Sequence, residues 1–168
     1  MAVLFVVPSV AVLFRLDDGA LDLAVDIGTV RLGFAVSDPL KLTAQSLPTL
    51  EGGGIKRICK TVMEVVRKYE LSDSDHDCVE TVVLGNPVHL DGKESEMSIM
   101  AEECARRLRE YFRQNFFREI MVVLIDERLS SVEAERIMLE GGAKRAERRL
   151  KKDQIAAQLI LQRYLDAQ

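Results

Sequence analysis

Three positions put carboxylates where carboxylates are costly. Asp26 lies inside the apolar run LAVDIG, and Asp126 and Glu127 directly follow the apolar run IMVVLI. Asp153 precedes Ala156, Ala157, Ile160 and Tyr164 by three, four, seven and eleven residues. Those positions share one helical face, and it is the apolar one. Asp153 therefore points toward a core. Any one of these acids alone reads equally well as a helix cap or an ion-pair partner. Burying several of them together is expensive unless a cation sits among them. His76 and His89 fall in loop-like stretches and no cysteine pair is near, so the donors are oxygens. Oxygen donors favour Mg²⁺ or Mn²⁺ over zinc. Two such ions activate a water and stabilise a leaving oxygen in phosphodiester cleavage.

A basic run leads into the last of these acids. Lys144, Arg145, Arg148, Arg149, Lys151 and Lys152 occupy nine residues with Glu147 as the only acid. Such a run usually forms a solvated face. Beside a metal site it also suits phosphate, with affinity that is sequence-independent and salt-sensitive. The formal net charge of −4 hides this asymmetry. Residues 141–168 carry +4 and the preceding 140 carry −8. No aromatic residue interleaves the run, so stacking on single-stranded bases is not indicated.

The elements that must position these groups follow from periodicity. Leu21–Ile27 and Arg31–Ser37 read as strands joined at Gly28-Thr29. Ser46–Glu51 reads as a third strand, demoted by Pro48. After Gly52-Gly53-Gly54, a helical stripe runs over Ile55–Glu70. Residues 71–77 are a polar loop. Thr81–Leu84 and Ile120–Ile125 are short buried strands, with a helix from Glu94 to about Phe112 between them. Ser130 and Glu133 form a capping box for a helix stopped by Gly141-Gly142. The last helix is expected to begin with Asp153 in its first turns and to run over about Leu150–Leu165. Antiparallel strands followed by alternating strands and helices predict an α/β fold, a mixed sheet with helices on both faces.

Composition bounds the rest. At 168 residues, 48% hydrophobic and 30% charged, the chain suits one globular domain and excludes disorder. Cys59, Cys78 and Cys104 fit neither a disulfide framework nor a zinc site, and imply a reducing, cytoplasmic setting. Cys59 and Cys104 fall in helical patterns and should be buried. Residues 1–20 are an extension outside the domain at 21–168. Their apolar stretch lacks a preceding Lys or Arg, is broken by Pro8 and is too short to span a bilayer, so no membrane role is expected.

Four segments in order resemble the bacterial YqgF family, whose members are described as Holliday junction resolvases or pre-16S rRNA nucleases. They are DIGTVRLGFAVSD from Asp26, VVLGNPVHLDGKESEMS from Val82, DERLSSVEAERIM from Asp126 and KKDQIAAQLILQRYLD from Lys151. The resemblance covers Leu21 to Asp166. It implies a ribonuclease H-like fold with a central five-stranded sheet and a divalent-metal site. The implied metal-binding acids are Asp26, Glu127 and Asp153, with Asp126 beside them. Thr29 and Arg31 in the hairpin turn, and Arg128 after the acidic pair, are implied contacts to nucleic acid. The implied substrate is precursor rRNA or branched DNA, cut by a monomer or a homodimer. One departure is Asn86, where the family commonly has an apolar residue before the proline. Two other functions share these features. Actin-like ATPases open on a similar Asp-x-Gly-Thr hairpin, and a non-catalytic ribosome-assembly module would keep the same fold.

Overall fold

The computed structural model describes residues 19–71, 78–87, 95–116, 118–126 and 145–168, without the side chains of 145–151. Five strands form one sheet: β1 Leu21–Ile27, β2 Arg31–Ser37, β3 Ala44–Glu51, β4 Val79–Asn86 and β5 Met121–Asp126. Their order is β3-β2-β1-β4-β5. The first three are antiparallel neighbours, while β4 runs parallel to β1 and β5 parallel to β4. Helices α1 Ile55–Glu70, α2 Glu96–Asn115 and α3 Arg145–Asp166 complete the described elements. The expected helix after Ser130 lies outside the described residues.

Strand alternation sorts side chains onto two faces. Leu23, Val25 and Ile27 of β1, Leu32 and Phe34 of β2, and Val82 and Leu84 of β4 pack with Ile58, Val62 and Val66 of α1 and Leu108 and Phe112 of α2. On the other face, Ala24, Ala35 and Val83 pack with Ala157, Ile160, Leu161 and Leu165 of α3. The small residues on this second face let α3 sit close to the sheet. Each large α3 side chain buried there contributes about 1.5–3 kcal/mol. Cys59 and Cys104 are buried among these helices, and all three thiols are free.

Elements β3, β4, α2 and β5 shift by one to three residues at their ends from the expected bounds, β3 starting at Ala44 and β4 running over Val79–Asn86, and α3 shifts further. Strand β3 keeps Pro48 in its middle because it is an edge strand, where a missing N–H breaks no ladder on the open side. Helix α3 starts at Arg145, so Asp153 stands more than two turns inside it. The run from Arg145 to Lys152 contains no Gly or Pro, and Ala, Arg, Glu, Leu and Lys are all good helix formers.

The α3 face of β1 also buries an acid that periodicity alone does not single out. Asp22 is fully buried, and its carboxylate accepts from Lys41 Nζ at 3.2 Å. The same ammonium reaches Glu80 at 2.8 Å. Lys41 takes a left-handed φ of 54°, a conformation that these contacts hold in place. Burial pushes the Asp22 carboxyl above the usual range, and the Lys41 charge opposes this. Replacing Lys41 by Met should cost about 3 kcal/mol at neutral pH, because it leaves an uncompensated buried carboxylate. With a raised pKa, the folded state holds the Asp22 proton more tightly than the unfolded chain. Stability in this variant should therefore rise as pH falls toward the carboxyl's pKa. Urea titrations of parent and variant across that range check this. A deficit that stays constant with pH would contradict it.

Candidate active site at the carboxyl ends of the parallel strands

Asp26 is the sixth residue of β1 and faces α3, since Ala24 on the same side belongs to the α3 cluster. Its cross-strand partner is Gly33 of β2. That glycine is where α3 touches the sheet. A Cβ at position 33 would stand 2.0 Å from the Asp153 carbonyl oxygen and 2.7 Å from its carbonyl carbon. Only a residue without a side chain lets the Asp153 backbone lie there. Asp153 is thereby seated over the immediate neighbour of Asp26. The two acids are 127 positions apart in sequence and share one end of the sheet.

Arg31 joins them. Its Nε lies 3.0 Å from Asp153 Oδ2, with both side chains partly exposed. Thr29 and Val30 form the exposed turn beside it. The turn is tight at Gly28, where a Cβ would meet the Arg31 carbonyl oxygen at 2.3 Å. Gly52 closes against the same turn, its N–H donating to the Val30 carbonyl at 2.9 Å.

Asp126 ends β5 in register with Asn86, so it stands at the same sheet end as Asp26. Its face differs. Val122 and Leu124 pack on the α1/α2 side and Ile125 on the α3 side. By alternation Asp126 falls on the face opposite Asp26. Glu127, Arg128 and Lys144 lie outside the described residues. Arg145, Arg148, Arg149 and Lys151 occupy the first turns of α3, and Lys152 is half-buried beside Asp153. The basic run thus belongs to the same helix as Asp153 and leads directly to it.

Among the described residues no three His, Cys, Asp or Glu side chains converge as a metal-binding group. Asp26 and Asp153 stand at one end of the sheet, with the Arg31 guanidinium on Asp153. The donors are all oxygen, which suits a hard divalent cation.

Sequence reading passed over Gly33 at this end, although an isolated glycine inside a strand pattern marks a close backbone approach. Asn86 stood out only as a departure from the family pattern. Its side-chain carbonyl is buried and has no hydrogen-bond partner among the described residues.

Known proteins place this arrangement. A model of the family described as RuvX, Holliday junction resolvase, matches residues 21–167. The chain belongs to this family. Among its relatives, a protein of Lactobacillus johnsonii is 38% identical over 149 residues, covering 86% of this chain and 94% of its own. One from Dictyoglomus turgidum is 34% identical over 145 residues, covering 86% and 93%. Both bear the name "Putative pre-16S rRNA nuclease". Among solved structures, Thermus thermophilus RuvC in complex with a Holliday junction substrate superposes with a TM-score of 0.51 at 17% identity, over 88% of this chain and 94% of that one. The fowlpox virus Holliday junction resolvase gives 0.51 at 13%, over 88% and 99%. At these identities the likeness concerns the fold, which is ribonuclease H-like as expected. No helix among the described residues is long and apolar enough to cross a membrane.

Proposed function

We propose that the chain is a metal-dependent nuclease that hydrolyses phosphodiester bonds in structured nucleic acid. The observation that carries this is the seating of Asp153 on Gly33, beside Asp26, in a chain of the resolvase family. Asp26, Glu127 and Asp153 would hold the divalent ions, Mg²⁺ or Mn²⁺. Asp126, on the other face, would support Glu127 from behind. When bound, such ions supply an activated water and steady the departing 3′ oxygen.

The chain's own residues do the rest. Partly buried carboxylates brought together by the fold repel one another, and Arg31 offsets part of that repulsion at Asp153. Arg31 is also placed to meet a phosphate that approaches the acids. Thr29 in the exposed turn, Arg128, and the basic run from Lys144 to Lys152 would hold the strand on either side through backbone phosphates. None of these contacts reads bases, so recognition rests on the shape of the substrate.

The relatives' shared name favours precursor ribosomal RNA, with 5′-end processing of pre-16S rRNA as the reaction. The family's own description favours a four-way DNA junction. Symmetric cutting of a junction requires two copies of the site, whereas trimming an RNA end requires one. The purified chain should cut an RNA carrying the precursor 5′ end when Mg²⁺ or Mn²⁺ is supplied, and stop when EDTA is added. Cleavage of a synthetic junction by a species of twice the monomer mass would move the substrate to DNA. Failure to cut either with metal present would leave a non-catalytic assembly module.

A further inference from the structure

The outer strand β5 borders a cavity of about 580 Å³ beside the end of α2, far from the acids. Arg109, Arg113, Arg118, Phe116 and Met121 line it, with Glu119 as the one acid. Arg118 is already committed. It is paired with Glu70 and donates to the Val79 carbonyl at 2.6 Å. Arg109 and Arg113 stand four residues apart on α2 and so share a face. Arg109 donates from Nε and Nη2 to the Val122 carbonyl on the open edge of β5, at 3.2 and 2.7 Å. A guanidinium carries five N–H donors, so this anchoring leaves several to spare. Arg113 is exposed and makes no hydrogen bond or ion pair among the described residues. The Phe116 ring is fixed edge-on to Phe112, with centroids 5.5 Å apart.

We propose that this cleft is a second contact for the nucleic acid, where Arg109 and Arg113 hold backbone phosphates of a duplex arm leaving the active site. The inference rests on the nuclease reading and adds where the substrate extends. Met121 is five residues before Asp126, which is about 17 Å along the strand. That is the length of about five base steps at ~3.4 Å each, so an arm leaving the acids can reach it. The geometry disfavours a peptide added as a further strand, because Arg109 already occupies the Val122 carbonyl that such a strand would need. The cleft offers cations spaced along a helix face, which suits a phosphate backbone.

Two RNA hairpins test this by fluorescence anisotropy in EDTA, so that binding is read without cleavage. Both carry the same loop and 5′ end. One stem stops near the site, and the other continues by about ten base pairs, enough to pass the cleft. Arg113→Gln should weaken binding of the long hairpin about tenfold and lower its salt slope by about 0.7–0.9, as expected for one lost phosphate contact. The short hairpin should bind as before. Lys60→Gln, which removes the same charge from an exposed position on α1, should leave both unchanged. Equal affinity and slope for the long hairpin, or an equal loss on both hairpins, overturns the proposal. So does a poly-glutamate peptide that binds the parent and is lost from Arg113→Gln while RNA binding is unchanged, which would assign the cleft to an acidic protein. A parent chain that binds neither these RNAs nor a four-way DNA junction removes the nucleic-acid reading itself, and this inference with it.

Discussion

Asp26→Asn should lower metal-dependent cleavage at least about a thousandfold, equivalent to ~4 kcal/mol of transition-state stabilisation. The reasoning starts from the strand. Asp26 is flanked by Val25 and Ile27, which are both buried on the opposite face, so its backbone is fixed by core packing. Asn has nearly the same shape and keeps the pairing with Gly33. What it loses is a negative charge at the sheet end where α3 also brings Asp153. A carboxamide oxygen is a weaker ligand for a divalent ion, and the proposed reaction requires that ion. Affinity for nucleic acid should stay within about threefold of the parent, because phosphate contacts carry binding and Asp26 repels phosphate if anything. The thermal midpoint should hold or rise, since one source of repulsion is gone. Single-turnover cleavage at saturating enzyme, with binding measured separately, checks the separation of rate from affinity. A variant that cuts at the parent rate removes Asp26 from the site.

Gly33→Ala should be the most damaging substitution of comparable size in the sheet. The added Cβ would meet backbone atoms of Asp153, and backbone cannot move aside by changing rotamer. Either α3 lifts from the sheet or β2 bends away. Overpacking of this kind costs about 1–3 kcal/mol and occasionally more. A loss of ~3 kcal/mol corresponds to a midpoint lowered by about 6–12 °C for a chain of this length. Activity should fall further than stability explains. Asp153 would be displaced from Asp26, and a misplacement of about 1 Å costs around a hundredfold in rate. Thermal melts together with cleavage assayed well below the variant's midpoint separate the two effects. A stable, fully active Gly33→Ala protein would show that α3 does not rest on this glycine.

Much of this site was legible from residue types and spacing. Asp26 and Asp153 stood out because acids within apolar periodicity have to be explained by burial. The structure puts both on the α3 side of the sheet, in the helix and strand expected. The start of α3 was not legible, because a basic run without a capping residue or breaker gives no boundary signal. The resemblance set Asp126 beside the other acids, and the strand register puts it on the face opposite Asp26. Asp22 was missed for a different reason. It lies on the same face of β1 as Asp26, but its burial and its partner come from Lys41 in the β2–β3 turn. That contact depends on the tertiary fold. Gly33 announced that something approaches closely, and only the fold says that it is Asp153.

The seating of α3 also orders events in time. Helix α3 hydrogen-bonds back to the start of β3 through Gln158 and Gln162, which grip the carbonyl and amide of Ala44 at 2.8 and 3.0 Å. The sheet's antiparallel half can form from neighbouring segments, whereas docking α3 closes a loop of more than a hundred residues. Such long-range contacts form late because their entropic cost comes before their reward. While the chain is still being synthesised, Asp26 has emerged and Asp153 has not. A nascent chain, held among the very ribosomal RNA that its relatives are named for, therefore carries half of the proposed site until Asp153 has been made.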